Sequence, residues 1–138
     1  MYIFEVEAED VKMDKKKFTY RKRVAGFKYA FNGLRLLLCN EPNALLHCII
    51  GILVIIAGFT LDISSMEWIV VVIVCGCVLT AEALNTSIER LADVVSPDYN
   101  EAIKKVKDLS AGGVLCAALA AAITGVIIFL PKLINLFA

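Results

Sequence analysis

The chain has 138 residues, enough for one domain, and 59% of them are hydrophobic, with a mean hydropathy of +0.77. This composition is too apolar for an ordinary soluble domain and indicates an integral membrane protein. The 14 basic and 14 acidic residues cancel, so the net charge gives no indication of nucleic-acid binding. The five cysteines form no CxxC pair and have no metal-type spacing to His47, which argues against a disulfide framework or a zinc site.

The first 39 residues divide into a tail and an amphipathic segment. Residues 1–17 run from an acidic patch to a lysine cluster and lack the pattern of a secretory signal, so we predict a mobile tail. Residues 18–39 are predicted to form an amphipathic helix that lies in the membrane interface. Its polar face carries Lys28, Asn32 and Arg35, and its apolar face carries Phe27, Ala30, Phe31, Leu34, Leu37 and Leu38.

Three apolar runs follow, each long enough to cross a bilayer. The break at residues 40–43 contains a proline suited to a first helical turn, so the first span is predicted at 44–61. An acidic turn leads to a second span at 68–91, whose helix continues to about Val95. The third span is predicted at 109–130, with Pro131 at its far end and residues 100–107 compatible with its first turns. The sequence therefore predicts an all-α membrane protein with a surface helix and three transmembrane helices.

The distribution of Lys and Arg predicts the orientation of these spans. Nine of these residues precede the first span, none lies in the 62–67 turn, four lie between Arg90, at the end of the second span, and Lys107, and one follows the third span. Because short cytoplasmic loops collect cations, the N-terminus and residues 85–108 are predicted to face the cytoplasm.

A stripe of polar residues lies at the end of the second span. At about 100° per residue, Asn85, Glu89 and Asp93 fall roughly −60°, −20° and +20° from Glu82 on the helix, over about 16 Å. An acid inside a span costs on the order of 3 kcal/mol and indicates function, although hydrogen bonding to neighbouring helices is the structural alternative. Clustered carboxylates with no competing ligand type suit a hard divalent cation such as Mg2+.

Cations on the same predicted side supply the other groups that phosphoryl transfer requires. Carboxylates can hold a metal or take a proton, and Lys and Arg offset the charge of phosphate. The sequence has no P-loop, no GxGxxG loop and no HRD or DFG motif. From the residues alone, a membrane enzyme and a proton- or cation-conducting oligomer are both candidates. The pathway is disfavoured because the spans offer few other polar residues, and a purely structural subunit would leave the stripe unexplained.

The stripe also carries a family resemblance. The segment Glu82-Ala83-Leu84-Asn85-Thr86-Ser87-Ile88-Glu89 with Asp93 resembles the ExxNTxIExxxD motif of the prokaryotic diacylglycerol and undecaprenol kinases. Further matches are residues 27–35, 41–43, 107–108 and 111–112, in the same order and spacing. The resemblance implies a lipid kinase domain at 18–138 that forms a homotrimer. It also implies ATP- and Mg2+-dependent phosphorylation of a lipid alcohol, in a multi-pass protein of the bacterial inner membrane.

The resemblance assigns roles by motif position. Glu82 resembles the catalytic base, assisted by Asn85, and Asp93 resembles a supporting residue, while Glu41 and Glu89 resemble the metal ligands. The residues implied to bind nucleotide are Lys22, Tyr29, Glu41, Glu89, Asp98, Tyr99, Asn100, Lys107 and Asp108. The residues implied to bind lipid are Arg35, Asn43, His47 and Glu82.

Some positions bear on which member of the family this chain resembles. Lys22 stands where an arginine is expected, between Arg21 and Arg23, so which of the three serves the nucleotide stays open. Asn43, His47 and the pair Asn85-Thr86 are more similar to the undecaprenol kinases. We therefore expect undecaprenol as the preferred substrate, with diacylglycerol as the alternative.

Overall fold

The computed structural model describes residues 20–137, and their side chains from 25 to 136. This part of the chain folds into four helices and contains no strand. They are α1 (Tyr20–Asn40), α2 (Pro42–Thr60), α3 (Ser65–Val95) and α4 (Glu101–Phe137). Helices α2, α3 and α4 are long and apolar enough to cross a membrane. The predicted all-α architecture, with three spans after an N-terminal helix, is confirmed, whereas the tail at 1–17 lies outside the described residues.

The break between α1 and α2 is a single residue. Glu41 has an extended backbone, with φ −116° and ψ 106°, and Pro42 follows it at the start of α2. A residue before proline is disfavoured in the helical conformation, and proline itself is well suited to a first helical turn. The sequence thereby ends one helix and starts the next within one residue, which places the Glu41 side chain at the junction.

A tight connection joins α2 to α3 at the other end of the molecule. Ser64 caps α3: its Oγ accepts the Glu67 N–H at 3.3 Å, and its own N–H donates to Glu67 Oε2 at 2.6 Å. Trp68 packs on α2 so closely that a Cβ added at Gly58 would lie 2.7 Å from the indole. Because Ser64 is the cap, helix α3 begins at Ser65, three residues before the predicted start of the span at Trp68.

Helix α4 is longer than the predicted span at both ends. It begins at Glu101, where Asn100 Oδ1 accepts the N–H groups of Ala102 and Ile103 at 2.9 and 3.3 Å. It also continues past Pro131 to Phe137, although the sequence predicted an end at that proline. Proline removes one backbone hydrogen bond but is tolerated within membrane helices, so hydropathy followed by proline was an unreliable end signal here.

Helix α3 is the central element of the molecule, because α2 and α4 both pack on it. The small apolar core near the connection contains Ile63, Val71 and Ile128. Most apolar side chains of α2 and α4 are exposed, as expected for helices whose outer surfaces meet lipid or another subunit. The polar stripe of α3 lies at the opposite end, which we call the polar end. There α1 and α3 end, and α2 and α4 begin.

Candidate active site

The stripe on α3 passes from a buried to an exposed environment. Glu82 is only 3% exposed and Asn85 is 7% exposed, whereas Asp93 is open to solvent. Glu89, between them, is half-buried. A carboxylic acid packed so fully among helices is rare in an apolar span and indicates a functional group. One face of α3 therefore carries both buried and exposed acids.

Asn85 organises the middle of the stripe. Its Nδ2 donates to Glu89 Oε1 at 3.1 Å, one helical turn away. Its Oδ1 is buried and has no hydrogen-bond partner among the described residues. A buried acceptor without a partner costs free energy, so this oxygen is available for a donor that a bound ligand would bring.

Glu41 joins the stripe from the start of α2. Its Oε1 accepts a hydrogen bond from Arg90 Nη2 at 2.9 Å, across 49 positions of sequence. Glu41, Glu89 and His47 all lie near Glu82. The junction before Pro42 thus brings the Glu41 carboxylate to the α3 stripe. The sequence named Glu41 as a candidate ligand but did not predict its contact with Arg90.

A polar cleft of about 450 Å3 opens between the end of α3 and the start of α4. Lys107 Nζ lies 2.7 Å from Asp93 Oδ1 and joins the two helices there. The predicted nucleotide residues that line the cleft are Glu89, Asp98, Tyr99, Asn100, Lys107 and Asp108, together with Asp93. The chain reversal at Ser96-Pro97 is what gathers these two sequence segments into one site.

Other predicted residues lie elsewhere. Tyr29 on α1 is 74% exposed and Arg35 is also exposed, and neither lines the cleft. Asn43 is exposed in the first turn of α2. Lys22 lies outside the residues whose side chains the structure describes. The roles assigned to these four residues stay predictions, as do those of the other site residues.

His47 lies at the polar end of a large apolar groove. This groove, of about 740 Å3, runs along α3 between α2 and α4. Its walls are aliphatic and small residues, such as Val71, Ala118 and Gly125. Since His47 also lies near Glu82, the buried acid stands where the apolar groove approaches the polar stripe.

The donor atoms of the site fit a divalent cation that arrives with its own ligands. Among residues 25–136, no group of three or more His, Cys, Asp and Glu side chains could hold a metal unaided. Mg2+ is commonly bound through one or two carboxylates, with phosphate oxygens and water completing its coordination. Glu41 and Glu89 provide two such carboxylates, and the unpartnered Asn85 Oδ1 is a third oxygen nearby. The set therefore suits a metal–nucleotide complex.

Two basic residues of the site were missed as site residues in the sequence. Lys104 lines the cleft, one turn before Lys107, and that spacing alone placed both on one helix face. Arg90 contacts Glu41, although the sequence suggested only that it was a cytoplasmic cation. Its position directly after Glu89 was the signal in the sequence that it belongs to the site. Its partner Glu41 lies 49 positions away, so the sequence did not indicate their contact.

Comparisons with known proteins agree with this arrangement. A family model described as prokaryotic diacylglycerol kinase matches residues 28–129. The chain is 34% identical over 107 residues to an undecaprenol kinase of Bacillus subtilis, which covers 78% of this chain and 87% of that protein. It is 34% identical over 114 residues to a diacylglycerol kinase of Synechocystis sp., with 82% and 65% covered. It is 28% identical over 107 residues to the diacylglycerol kinase of Escherichia coli K12, with 78% and 86% covered.

The matched region contains α2, α3 and the α4 residues that line the cleft, so the comparisons cover the site as well as the spans. The relatives are named as lipid kinases, which act with a nucleotide phosphoryl donor. This chain, a multi-pass membrane protein, therefore belongs to the prokaryotic diacylglycerol kinase family of lipid kinases.

Proposed function

We propose that the protein transfers the γ-phosphoryl group of ATP to the hydroxyl of a membrane lipid alcohol, with undecaprenol as the preferred acceptor. The observation that carries this proposal is the position of Glu82. This acid is 3% exposed on a membrane helix, and along α3 it lies between Leu79, which lines the apolar groove, and Glu89, which lines the polar cleft. A lipid kinase must bring a soluble nucleotide and a membrane lipid together. Glu82 lies between the regions that we assign to these two substrates.

Each polar residue has a role in the proposed reaction. Glu82 accepts the proton of the lipid hydroxyl, or orients that hydroxyl for attack, as a general base does. Asn85 holds Glu89 through its amide and presents Oδ1 to the substrate side. Lys107, held beside Asp93, contacts the phosphates and offsets their charge.

Glu41 and Glu89 hold Mg2+ in this proposal. The bound metal would neutralise phosphate charge and align the transferred group. Glu89 lies on α3 and Glu41 lies at the junction before α2, so closure of the site depends on the α2–α3 contact at the polar end. Asp98, Tyr99 and Asn100 form the outer wall of the cleft and contact the nucleotide.

The lipid lies on the opposite side of Glu82. Its chain follows the apolar groove, and its hydroxyl approaches Glu82 beside His47 and Asn43. The resemblance of Asn43, His47 and Asn85-Thr86 to undecaprenol kinases supports a long polyprenol chain. The equal 34% identity to an undecaprenol kinase and a diacylglycerol kinase makes diacylglycerol the alternative acceptor.

The proposal extends to the setting of the enzyme. The protein works as a homotrimer in the bacterial inner membrane, with its N-terminus and polar end in the cytoplasm. The distribution of Lys and Arg supports that orientation, because short cytoplasmic loops collect cations. In this orientation, ATP can reach the cleft from the cytoplasm. A neighbouring subunit would cover part of the apolar surface that a single chain exposes.

The test is phosphate transfer from labelled ATP by the purified protein in mixed micelles. Undecaprenol and diacylglycerol are offered separately and in competition, with and without Mg2+. We expect Mg2+-dependent transfer with a preference for undecaprenol. A preference for diacylglycerol would reverse the substrate assignment and reduce His47 to a structural residue. If neither lipid were phosphorylated, the proposed kinase reaction would be wrong.

A further inference from the structure

The contact between Arg90 and Glu41 has no role in the reaction proposed above. Arg90 lies on α3 directly after Glu89, and its Nη2 reaches Glu41 Oε1 at 2.9 Å. The Glu41 side chain is 26% exposed and that of Arg90 is 47% exposed. One of the two candidate metal ligands is therefore already paired with a cation.

The two candidate ligands differ in this respect. Glu89 accepts a hydrogen bond from the neutral amide of Asn85. Glu41 is paired with a guanidinium, which is permanently charged and matches carboxylate geometry. The other ion pairs at the polar end, within residues 25–136, are Lys107–Asp93 and Lys105–Glu101, so neither involves Glu41 or Glu89. A metal ion therefore competes with a cation for Glu41 Oε1, but only with a neutral donor for Glu89 Oε1.

We propose that Arg90 is a positioning residue that occupies Glu41 when no nucleotide is bound and competes there with the divalent cation. This inference rests on the metal role of Glu41 in the proposed function. The pairing of Arg90 with Glu41 weakens metal binding in the absence of nucleotide. When the metal arrives with ATP, phosphate oxygens offer the released guanidinium a new anionic partner, since arginine binds phosphate and carboxylate by the same fork. Arg90 thereby couples metal binding to nucleotide binding.

A purely structural role makes a different prediction. If Arg90 only fastened α2 to α3, its removal would lower thermal stability and leave the metal affinity unchanged. An exposed ion pair stabilises a fold weakly, because water screens it. Metal affinity measured without nucleotide is therefore the measurement that separates the two roles.

The experiment titrates the full-length protein in detergent micelles with Mn2+ and counts free Mn2+ by electron paramagnetic resonance. The variants are Arg90→Gln, Arg90→Lys and Glu41→Gln. A matched control, Lys105→Gln, removes one cation from an exposed pair at the same end. We expect Arg90→Gln to bind Mn2+ about two- to fivefold more tightly than the wild type, the range set by exposed ion pairs. Arg90→Lys should return the affinity toward the wild-type value, and Lys105→Gln should not change it.

The outcomes separate this inference from the proposed function. If Glu41→Gln weakens Mn2+ binding but Arg90→Gln matches or falls below the wild type, the competition by Arg90 is wrong and the metal role of Glu41 stands. If Glu41→Gln binds Mn2+ like the wild type, Glu41 is not a ligand and both assignments fail. Tighter binding in Lys105→Gln equal to that in Arg90→Gln would indicate a general charge effect and would also overturn the proposal.

A second titration in the presence of a non-hydrolysable ATP analogue measures the coupling. Nucleotide should increase the Mn2+ affinity of the wild type by a larger factor than that of Arg90→Gln. Equal factors in the two proteins would show that Arg90 does not link the two ligands.

Discussion

At the scale of single residues, the chemistry depends on how deeply each acid of the α3 stripe is buried. Glu82 and Asn85 are enclosed by helices, while Asp93 reaches solvent and pairs with Lys107. In the proposed reaction, the same helix face supplies a group shielded from water for proton transfer and exposed groups for a charged nucleotide. In this proposal, one polar stripe serves both substrates because it extends from the apolar part of the protein to the polar end.

Glu82→Gln should abolish phosphate transfer while preserving the fold. The amide keeps the size of the side chain but cannot accept the proton, so we expect kcat to fall about 100- to 10,000-fold. Nucleotide binding, measured by equilibrium titration, should stay near the wild-type value. Glu101→Gln is the matched control, since that acid is exposed at the start of α4 and should leave kcat unchanged. Retained turnover in Glu82→Gln would rule out the base assignment.

Lys107→Ala should act on the nucleotide and not on the lipid. Losing a charged contact to phosphate costs about 1.5–3 kcal/mol, so the KM for ATP should rise about tenfold to a hundredfold. The KM for the lipid should change little. Lys105→Ala provides the comparison, because that lysine pairs with Glu101 and does not line the cleft. An unchanged KM for ATP would remove Lys107 from the nucleotide site.

At the scale of elements, α3 positions the site and the connection at its far end positions α3. The Ser64–Glu67 capping box fixes where α3 starts, and Lys132 Nζ lies 3.3 Å from Glu67 Oε2, which links the end of α4 to the start of α3. The Trp68 ring packs against Phe59, with centroids 4.8 Å apart. These contacts set the rotation of α3, and that rotation decides which neighbours the stripe faces.

Gly58→Ala should loosen this connection. The new Cβ would lie 2.7 Å from the Trp68 indole, so either the ring or the helix must move. Such overpacking costs about 1–3 kcal/mol, which we expect to see as a lower midpoint of thermal unfolding in micelles. Gly51→Ala lies on the same helix with open space around its Cβ, so it should be neutral or slightly stabilising. Equal midpoints in the two variants would contradict the close packing of Trp68.

At the scale of the whole molecule, a single chain leaves much of its membrane surface uncovered. Ile50, Leu53 and Phe59 on α2, and Leu119 and Ile127 on α4, are all largely exposed. Without a hydrophobic driving force between helices in lipid, close packing of small residues favours association. Ala120 of α4 is an exposed small residue that lies outside the apolar groove.

The exposed surface predicts an oligomer, and the resemblance to the family implies that this oligomer is a trimer. Light scattering of the protein component in detergent should give three times the chain mass of 15.1 kDa. The mass should not change when the micelle-to-protein ratio is raised, because a specific interface does not depend on crowding in one micelle. A mass of one or two chains under these conditions would contradict the prediction.

The sequence by itself determined the spans, the amphipathic helix and the order of acids on α3. Each of these follows from local patterns: hydropathy over a window, helical periodicity, and the geometry of Pro42 after Glu41. The length of α4 did not follow from such a pattern, because Pro131 is a local break signal and the helix continues past it to Phe137.

Tertiary structure alone decided which side chains meet. The pair Arg90–Glu41 spans 49 positions, and Lys107–Asp93 spans 14 across a chain reversal. Such contacts depend on how α2 and α4 rotate and tilt against α3, and side-chain packing along the full interface sets those angles. The sequence could name the acids and Lys107 because motif and spacing are local, but it missed Lys104 and Arg90 as site residues. It could not pair them, because pairing is a property of the packed helices.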